Sequence, residues 1–183
     1  MPRIFNLIAI LTAALMSIAS AETPADPENT LYLDLKDGRV VIQLRPDLAP
    51  KHVARIKELV REKFYDGIVF HRVIAGFMAQ TGDPTGTGSG GSGVGLDAEF
   101  SDEPHVRGTL SMARANHPDS ADSQFFIVFA RARHLDGKYT VWGQVTSGMN
   151  FVSKIKRGDQ SANGLVDDPD KIIRMQVAAD ATD

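Results

Sequence analysis

The arrangement of apolar residues predicts a mainly β domain, in which one closed or nearly closed antiparallel sheet is covered at its open ends by two helices. Three observations carry this reading. There are many short apolar runs of strand character, two separate stretches of helical spacing, and none of the regular strand-helix alternation that a doubly wound sheet requires. With 183 residues and 43% hydrophobic content, the chain suits one domain with a real core rather than two.

The first element is a hairpin. Leu31, Leu33 and Leu35 alternate with Tyr32, Asp34 and Lys36, and Val40, Ile42 and Leu44 alternate with Arg39, Val41 and Gln43. Asp37-Gly38 lies between these runs, so the pattern predicts two strands joined by a two-residue Asp-Gly turn. From 49 to 63 the period changes, with Val53, Ile56 and Val60 at helical spacing and Lys51, Arg55, Lys57 and Arg61 on other faces. Strand character returns at 68–74, 77–81, 109–113, 124–129 and 140–145. A short helix over 149–156 and a last strand over 171–178 complete the domain.

The N-terminal end reads as an export signal. Met1-Pro2-Arg3 precedes an apolar run over 7–19, and Ala19-Ser20-Ala21 supplies a small-residue cleavage site before Glu22. The run is shorter than the roughly 20 residues that span a bilayer, so removal of 1–21 is expected rather than a retained membrane anchor. Residues 22–29 are polar and proline-bearing and read as a flexible leader, with the folded domain over 30–179. The chain has no cysteine, so no disulfide contributes to its stability. It carries 20 basic against 23 acidic residues; loss of Arg3 with the signal leaves 19 against 23, a net charge of −4. That balance speaks against a nucleic-acid partner.

Several chemistries are disfavoured by their missing context. The run 86–91 formally matches G-x-G-x-x-G, but further glycines follow at Gly93 and Gly95 and no strand-to-helix unit surrounds it. It reads as a surface loop able to approach an extended peptide backbone, not as a cofactor site. No nucleophile elbow occurs. His52, His71, His105, His117 and His134 show no zinc-binding spacing and are expected to be structural or exposed.

The informative segment is 70–83, Phe-His-Arg-Val-Ile-Ala-Gly-Phe-Met-Ala-Gln-Thr-Gly-Asp. If its two halves pair through a short loop around Gly76, a symmetric register sets Ile74 opposite Met78 and Arg72 opposite Gln80, within hydrogen-bonding reach on one face. A one-residue slip would separate them. This segment resembles the signature of the cyclophilin family. Ser111-Met112-Ala113, Ser123-Gln124-Phe125-Phe126-Ile127 and Leu135-Asp136-Gly137-Lys138 resemble further blocks of the family in the same order.

The resemblance covers about 30–177 and implies a closed eight-stranded β-barrel capped by two α-helices, with a peptide groove on its outer face. It implies peptidyl-prolyl cis-trans isomerase activity without a metal or organic cofactor, on proline-containing segments of folding proteins. Arg72 corresponds to the catalytic arginine and Gln80 to the glutamine that holds it. Phe77, Met78, Phe126 and Leu135 match residues lining the proline pocket. Ala113 and Arg114 fall where the family binds substrate backbone, and Tyr139 falls where many members carry histidine. With the export signal, it points to folding of exported proteins, in the periplasm where the source has two membranes. A monomer is expected.

Three departures stand out. His134 replaces the tryptophan that eukaryotic members use to contact cyclosporin, which removes apolar surface and an indole donor, so weak cyclosporin binding is expected. Arg114 replaces the usual asparagine, and the loop over 115–122 is about one residue longer, so preference beside the proline is expected to differ. A binding module that grips proline segments without turnover is the competing reading; retention of Arg72, Gln80, Phe77 and Phe126 favours the enzyme.

Overall fold

The computed structural model describes residues 26–181, so the signal over 1–21 and the leader over 22–25 lie outside the described residues. Eight strands follow one another as β1 (Thr30–Leu35), β2 (Gly38–Leu44), β3 (Arg72–Ile74), β4 (Met78–Thr81), β5 (Thr109–Met112), β6 (Phe125–Val128), β7 (Val141–Ser147) and β8 (Arg174–Val177). Helix α1 (Pro50–Arg61) lies between β2 and β3, and the single turn α2 (Met149–Val152) lies between β7 and β8. The strands form one antiparallel sheet in the order β3-β4-β6-β5-β7-β2-β1-β8.

The hairpin expectation holds for the buried faces and fails for the turn. Leu31, Leu33, Leu35, Val40, Ile42 and Leu44 are all buried. The turn residues, however, are Lys36 and Asp37, because Gly38 already pairs with Leu35 as the first residue of β2. Gly38 sits at φ +147°, and a Cβ there would stand 2.6 Å from the Phe151 ring of α2. Both facts call for glycine one place later than the turn itself.

The closed barrel is corrected to a curled sheet whose ladder stops at β3 and β8. Those two strands do not pair with each other. The chain before β3, expected as strand from 68, meets the chain before β8 through isolated contacts. Gly67 N–H donates to Ile172 C=O at 2.8 Å and Phe70 N–H to Asp170 C=O at 2.8 Å. A continuous ladder is interrupted there because Pro169 has no N–H to give and Asp168 before it turns at φ +47°. The second helix is also shorter than the expected 149–156. The part of the leader that is described is ordered: Pro27–Asn29 forms a 3-10 turn capped by Asp26, and Glu28 pairs with Lys57 and Arg61 at 2.9 Å each.

Helix α1 buries His52, Val53, Ile56, Leu59 and Val60 on one stripe and packs against β8. Its N-cap, Ala49, has no side-chain oxygen. Glu99, from a distant loop, takes that role: its carboxylate accepts from Lys51 N–H at 3.1 Å and His52 N–H at 3.0 Å, and bonds the His52 ring at 2.7 Å. A negative charge on orphan amides at a helix N-terminus is favourable.

Candidate active site

The register of β3 and β4 sets the first feature of the site. Arg72 lies opposite Gln80 and Ile74 opposite Met78, the pairing that the spacing predicts. The side chains of Arg72 and Gln80 therefore project from the same face, and Arg72 Nη1 donates to Gln80 Oε1 at 3.1 Å. Two more bonds hold the guanidinium: Nε donates to Asn163 C=O at 3.0 Å and Nη2 to Asn163 Oδ1 at 3.1 Å. All three acceptors are neutral. Burial pushes Arg72 below its ordinary value, but a guanidinium keeps its charge at neutral pH. Of its five N–H groups, three contacts leave donors free to face a ligand.

Beside Arg72 lies a cavity of about 660 Å³. Phe77, Met78, Phe126 and Leu135 line it with Ala113 and Tyr139, so the structure brings the expected apolar residues to one place. Met78, Phe126 and Leu135 belong to a small apolar cluster with Val128 and Ala132, separate from the main core. The Phe126 ring meets Tyr139 edge-on at 5.9 Å and stacks on His105 at 6.3 Å. His105 is fully buried, and bonds Ser111 Oγ at 2.9 Å and Asp136 at 3.2 Å, which ties the floor of the cavity to the turn after Leu135. Burial outweighs the Asp136 carboxylate and lowers the His105 pKa, so the ring stays neutral as a packing partner. The ring of His134 lies at the rim, 5.2 Å from the Phe77 ring.

A second cavity, of about 380 Å³, adjoins the first, and Gln80, Gly88, Ala113 and Arg114 line both. Its wall is the glycine-rich loop, which wraps two carboxylates. Asp83 accepts from Thr85 N–H at 2.7 Å and Gly88 N–H at 2.6 Å, and Asp122 accepts from Ser92 N–H at 3.0 Å and Gly93 N–H at 2.8 Å. A Cβ on Gly90 would fall 2.2 Å from Asp83 Oδ1, so the loop can close on its acid only with glycine there.

Two polar residues of the site are not among those the sequence points to. Gln80 Nε2 donates to Gln124 Oε1 at 2.9 Å, and Gln124 Nε2 donates to Gly88 C=O at 3.0 Å and Gly90 C=O at 2.8 Å, so a chain of amides connects Arg72 to the loop. Gln124 shares the period-2 face of Phe126 and Val128, and a polar residue at the head of that apolar run is the signal that could have found it. Asn163 sits in a turn at φ +54°, 91 residues from Arg72, and its Asn-Gly dipeptide signals a turn but not a partner.

Comparison with known proteins agrees with this architecture. Residues 30–177 match the family model described as "Cyclophilin type peptidyl-prolyl cis-trans isomerase/CLD". A "Probable peptidyl-prolyl cis-trans isomerase" of Brucella suis is 53% identical over 96% of each chain. The "Peptidyl-prolyl cis-trans isomerase B" of Bacillus subtilis is 47% identical over 71% of this chain and 92% of its own. Among solved structures, a cyclophilin from Hirschia baltica superposes with a TM-score of 0.76 at 29% identity, covering 86% of this chain and 76% of that one. A cyclophilin-type isomerase from Cryptosporidium parvum, solved in the presence of the dipeptide Ala-Pro, superposes with a TM-score of 0.73 at 30% identity, covering 81% and 98%. With a family match across the whole sheet and relatives of this identity over nearly their full length, the chain belongs to the cyclophilin-type peptidyl-prolyl cis-trans isomerases.

Proposed function

We propose that this isomerase accelerates X-Pro isomerisation in exported folding proteins, with Arg72 stabilising the twisted amide while the cavity of Phe77, Met78, Phe126 and Leu135 holds the proline ring. The barrier to rotation is about 18–20 kcal/mol, because amide resonance is lost as the bond twists. At the top of that barrier the prolyl nitrogen is pyramidal and carries a localised lone pair. A donor fixed near that nitrogen stabilises the twisted amide more than either planar form, and so lowers the barrier. No covalent bond is made or broken, so no acid-base couple is needed.

The observation that carries this reading is the position of Arg72: a guanidinium held by Gln80 and Asn163 at 3.0–3.1 Å, with spare N–H groups, at the wall of a cavity that Phe77, Met78, Phe126 and Leu135 also line. Its planar fork is oriented by neutral acceptors, so no carboxylate offsets the charge that faces the ligand. Gln80 both holds Arg72 and offers its amide to substrate backbone, and Ala113 and Arg114 present backbone along the second cavity. A proline-containing ligand is supported by the Cryptosporidium relative, whose structure was solved in the presence of Ala-Pro.

The test compares residues 22–183 with and without Arg72→Ala in a protease-free assay of an X-Pro peptide. The mutant is expected to lose about tenfold or more in kcat/KM, equivalent to about 1.4 kcal/mol. Binding of the peptide without acceleration by the wild type would replace the enzyme with a binding module. Export is supported by the apolar run over 7–19 and the Ala19-Ser20-Ala21 site. The mass of the protein recovered from a periplasmic fraction should correspond to a chain starting at Glu22; a full-length chain held in the membrane fraction would refute export with cleavage.

A further inference from the structure

Arg114 occupies an unusual electrostatic position. Its Nε and Nη2 donate to Lys138 C=O at 3.2 and 3.0 Å, and its Nη1 donates to Ala115 C=O at 2.9 Å and Asn116 C=O at 3.2 Å. The guanidinium also lies over the Tyr139 ring, with Cζ 4.6 Å from the centroid. These contacts fix the head group in place but neutralise none of its charge. Among the described residues, neither Arg114 nor Arg72 pairs with a carboxylate. The cavity between them is lined by no Asp or Glu. A chain of net charge −3 thus presents two guanidinium charges without carboxylate partners around one groove, where a partly apolar wall strengthens their field.

The position of Arg114 says which part of a peptide meets that charge. Gln80 lines both cavities and bonds Arg72, which the isomerase reading above sets against the prolyl nitrogen. A peptide leaving the proline from its nitrogen therefore runs past Gln80 toward the second cavity and passes Arg114 at the boundary. In that second cavity the one acid, Asp122, keeps its charge but has its two oxygens bonded to the loop amides of Ser92 and Gly93, and it makes no ion pair with Arg114. With four donated contacts to carbonyls, one of the five N–H groups of Arg114 is left for a ligand.

We infer that Arg114 makes this isomerase selective for a carboxylate side chain immediately before the proline, an Asp-Pro or Glu-Pro segment, by pairing it with a guanidinium pre-set by backbone carbonyls. This rests on the isomerase reading above and deepens it. An ion pair at a half-exposed site is worth modest energy and responds to salt. The preference should therefore be severalfold and screened at high ionic strength.

The experiment measures kcat/KM for two end-capped peptides, Ala-Glu-Pro-Phe and Ala-Gln-Pro-Phe, which differ by charge and not by shape. At about 10 mM salt the wild type should favour the Glu peptide by about three- to fivefold, the scale of an exposed ion pair, and at about 0.5 M salt the ratio should fall below about two. Arg114→Gln should bring the ratio to about one, whatever it does to the shared rate, and Arg114→Lys should keep an intermediate ratio. Equal rates for the two peptides in the wild type at low salt, or an unchanged ratio in Arg114→Gln, would overturn the inference. If Arg114→Gln fails to fold, the salt response of the wild type and the Arg114→Lys ratio decide it. Failure of the wild type to accelerate either peptide would instead sink the isomerase reading itself.

Discussion

Strands β4 and β6 present two opposite faces that do different work with the same kind of residue. Ala79, Phe125 and Ile127 point into the main core with Trp142, which meets Phe125 edge-on at 5.3 Å. Their neighbours Met78, Phe126 and Val128 point outward and pack beneath Ala132 and Leu135. On an antiparallel sheet with one wet face the outward residues would be polar. Here both faces are apolar because the second one is also covered, partly by protein and partly, as proposed, by a proline ring. The difference is that the inner face is sealed in the main core, whereas the outer face borders an open cavity that, as proposed, a proline ring fills.

Paired truncations break or sharpen that contrast most directly. Phe125→Ala should cost about 3–5 kcal/mol of unfolding free energy, because it leaves a closed cavity in the core. Phe126→Ala should cost only about 1–2 kcal/mol, since it enlarges a cavity already open, and should instead remove most of kcat/KM. Chemical denaturation and the exchange assay on both variants check this. Equal stability losses with equal retained activity would erase the distinction between the faces.

The rim separates ligands that use it from ligands that do not. His134 offers less apolar surface beside Phe77 than an indole would, so cyclosporin should inhibit weakly in an activity titration. His134→Trp should tighten inhibition by about tenfold, roughly 1.4 kcal/mol, with X-Pro turnover little changed. Tight inhibition of the wild type would show that the rim contributes little to that ligand.

The smallest expected effect tests how the outer face is aligned. Asn163 holds Arg72 by two bonds at the edge of the cavity, which on the reading proposed above makes it a positioning residue. Asn163→Ala keeps the backbone carbonyl and loses the Oδ1 acceptor. It should lower kcat by about three- to fivefold, near 1 kcal/mol, with KM little changed. A change in KM alone would assign Asn163 to binding rather than to alignment of Arg72.

Much of this is legible in the sequence, for a local reason. Strand periodicity, the stripe of α1 and the pairing of Arg72 with Gln80 depend on residues fewer than about a dozen apart, where spacing maps onto geometry. The hairpin turn lies one residue earlier than the spacing predicts because Asp37-Gly38 is a strong turn signal locally, while the demand on Gly38 comes from Phe151, far along the chain. Ladder closure fails for a similar reason. Three-residue β3 and four-residue β8 do not meet; the strand patterns over 68–74 and 171–178 do bring Val69 opposite Lys171, but the turn at Asp168 and Pro169 that stops this pairing short of β3 lies outside both patterns.

By itself the sequence determined the mainly β class, the order of elements, the faces of the first hairpin, the shared face of Arg72 and Gln80 and the apolar and basic residues available for a site. Only the tertiary structure decided how those residues act together. Asn163 reaches Arg72 across 91 residues of chain, Glu99 caps α1 across 48, and Arg114 stands between two cavities made by separate loops. Such contacts join segments whose separation carries no period, and they exist only once the sheet has curled and brought the loops together.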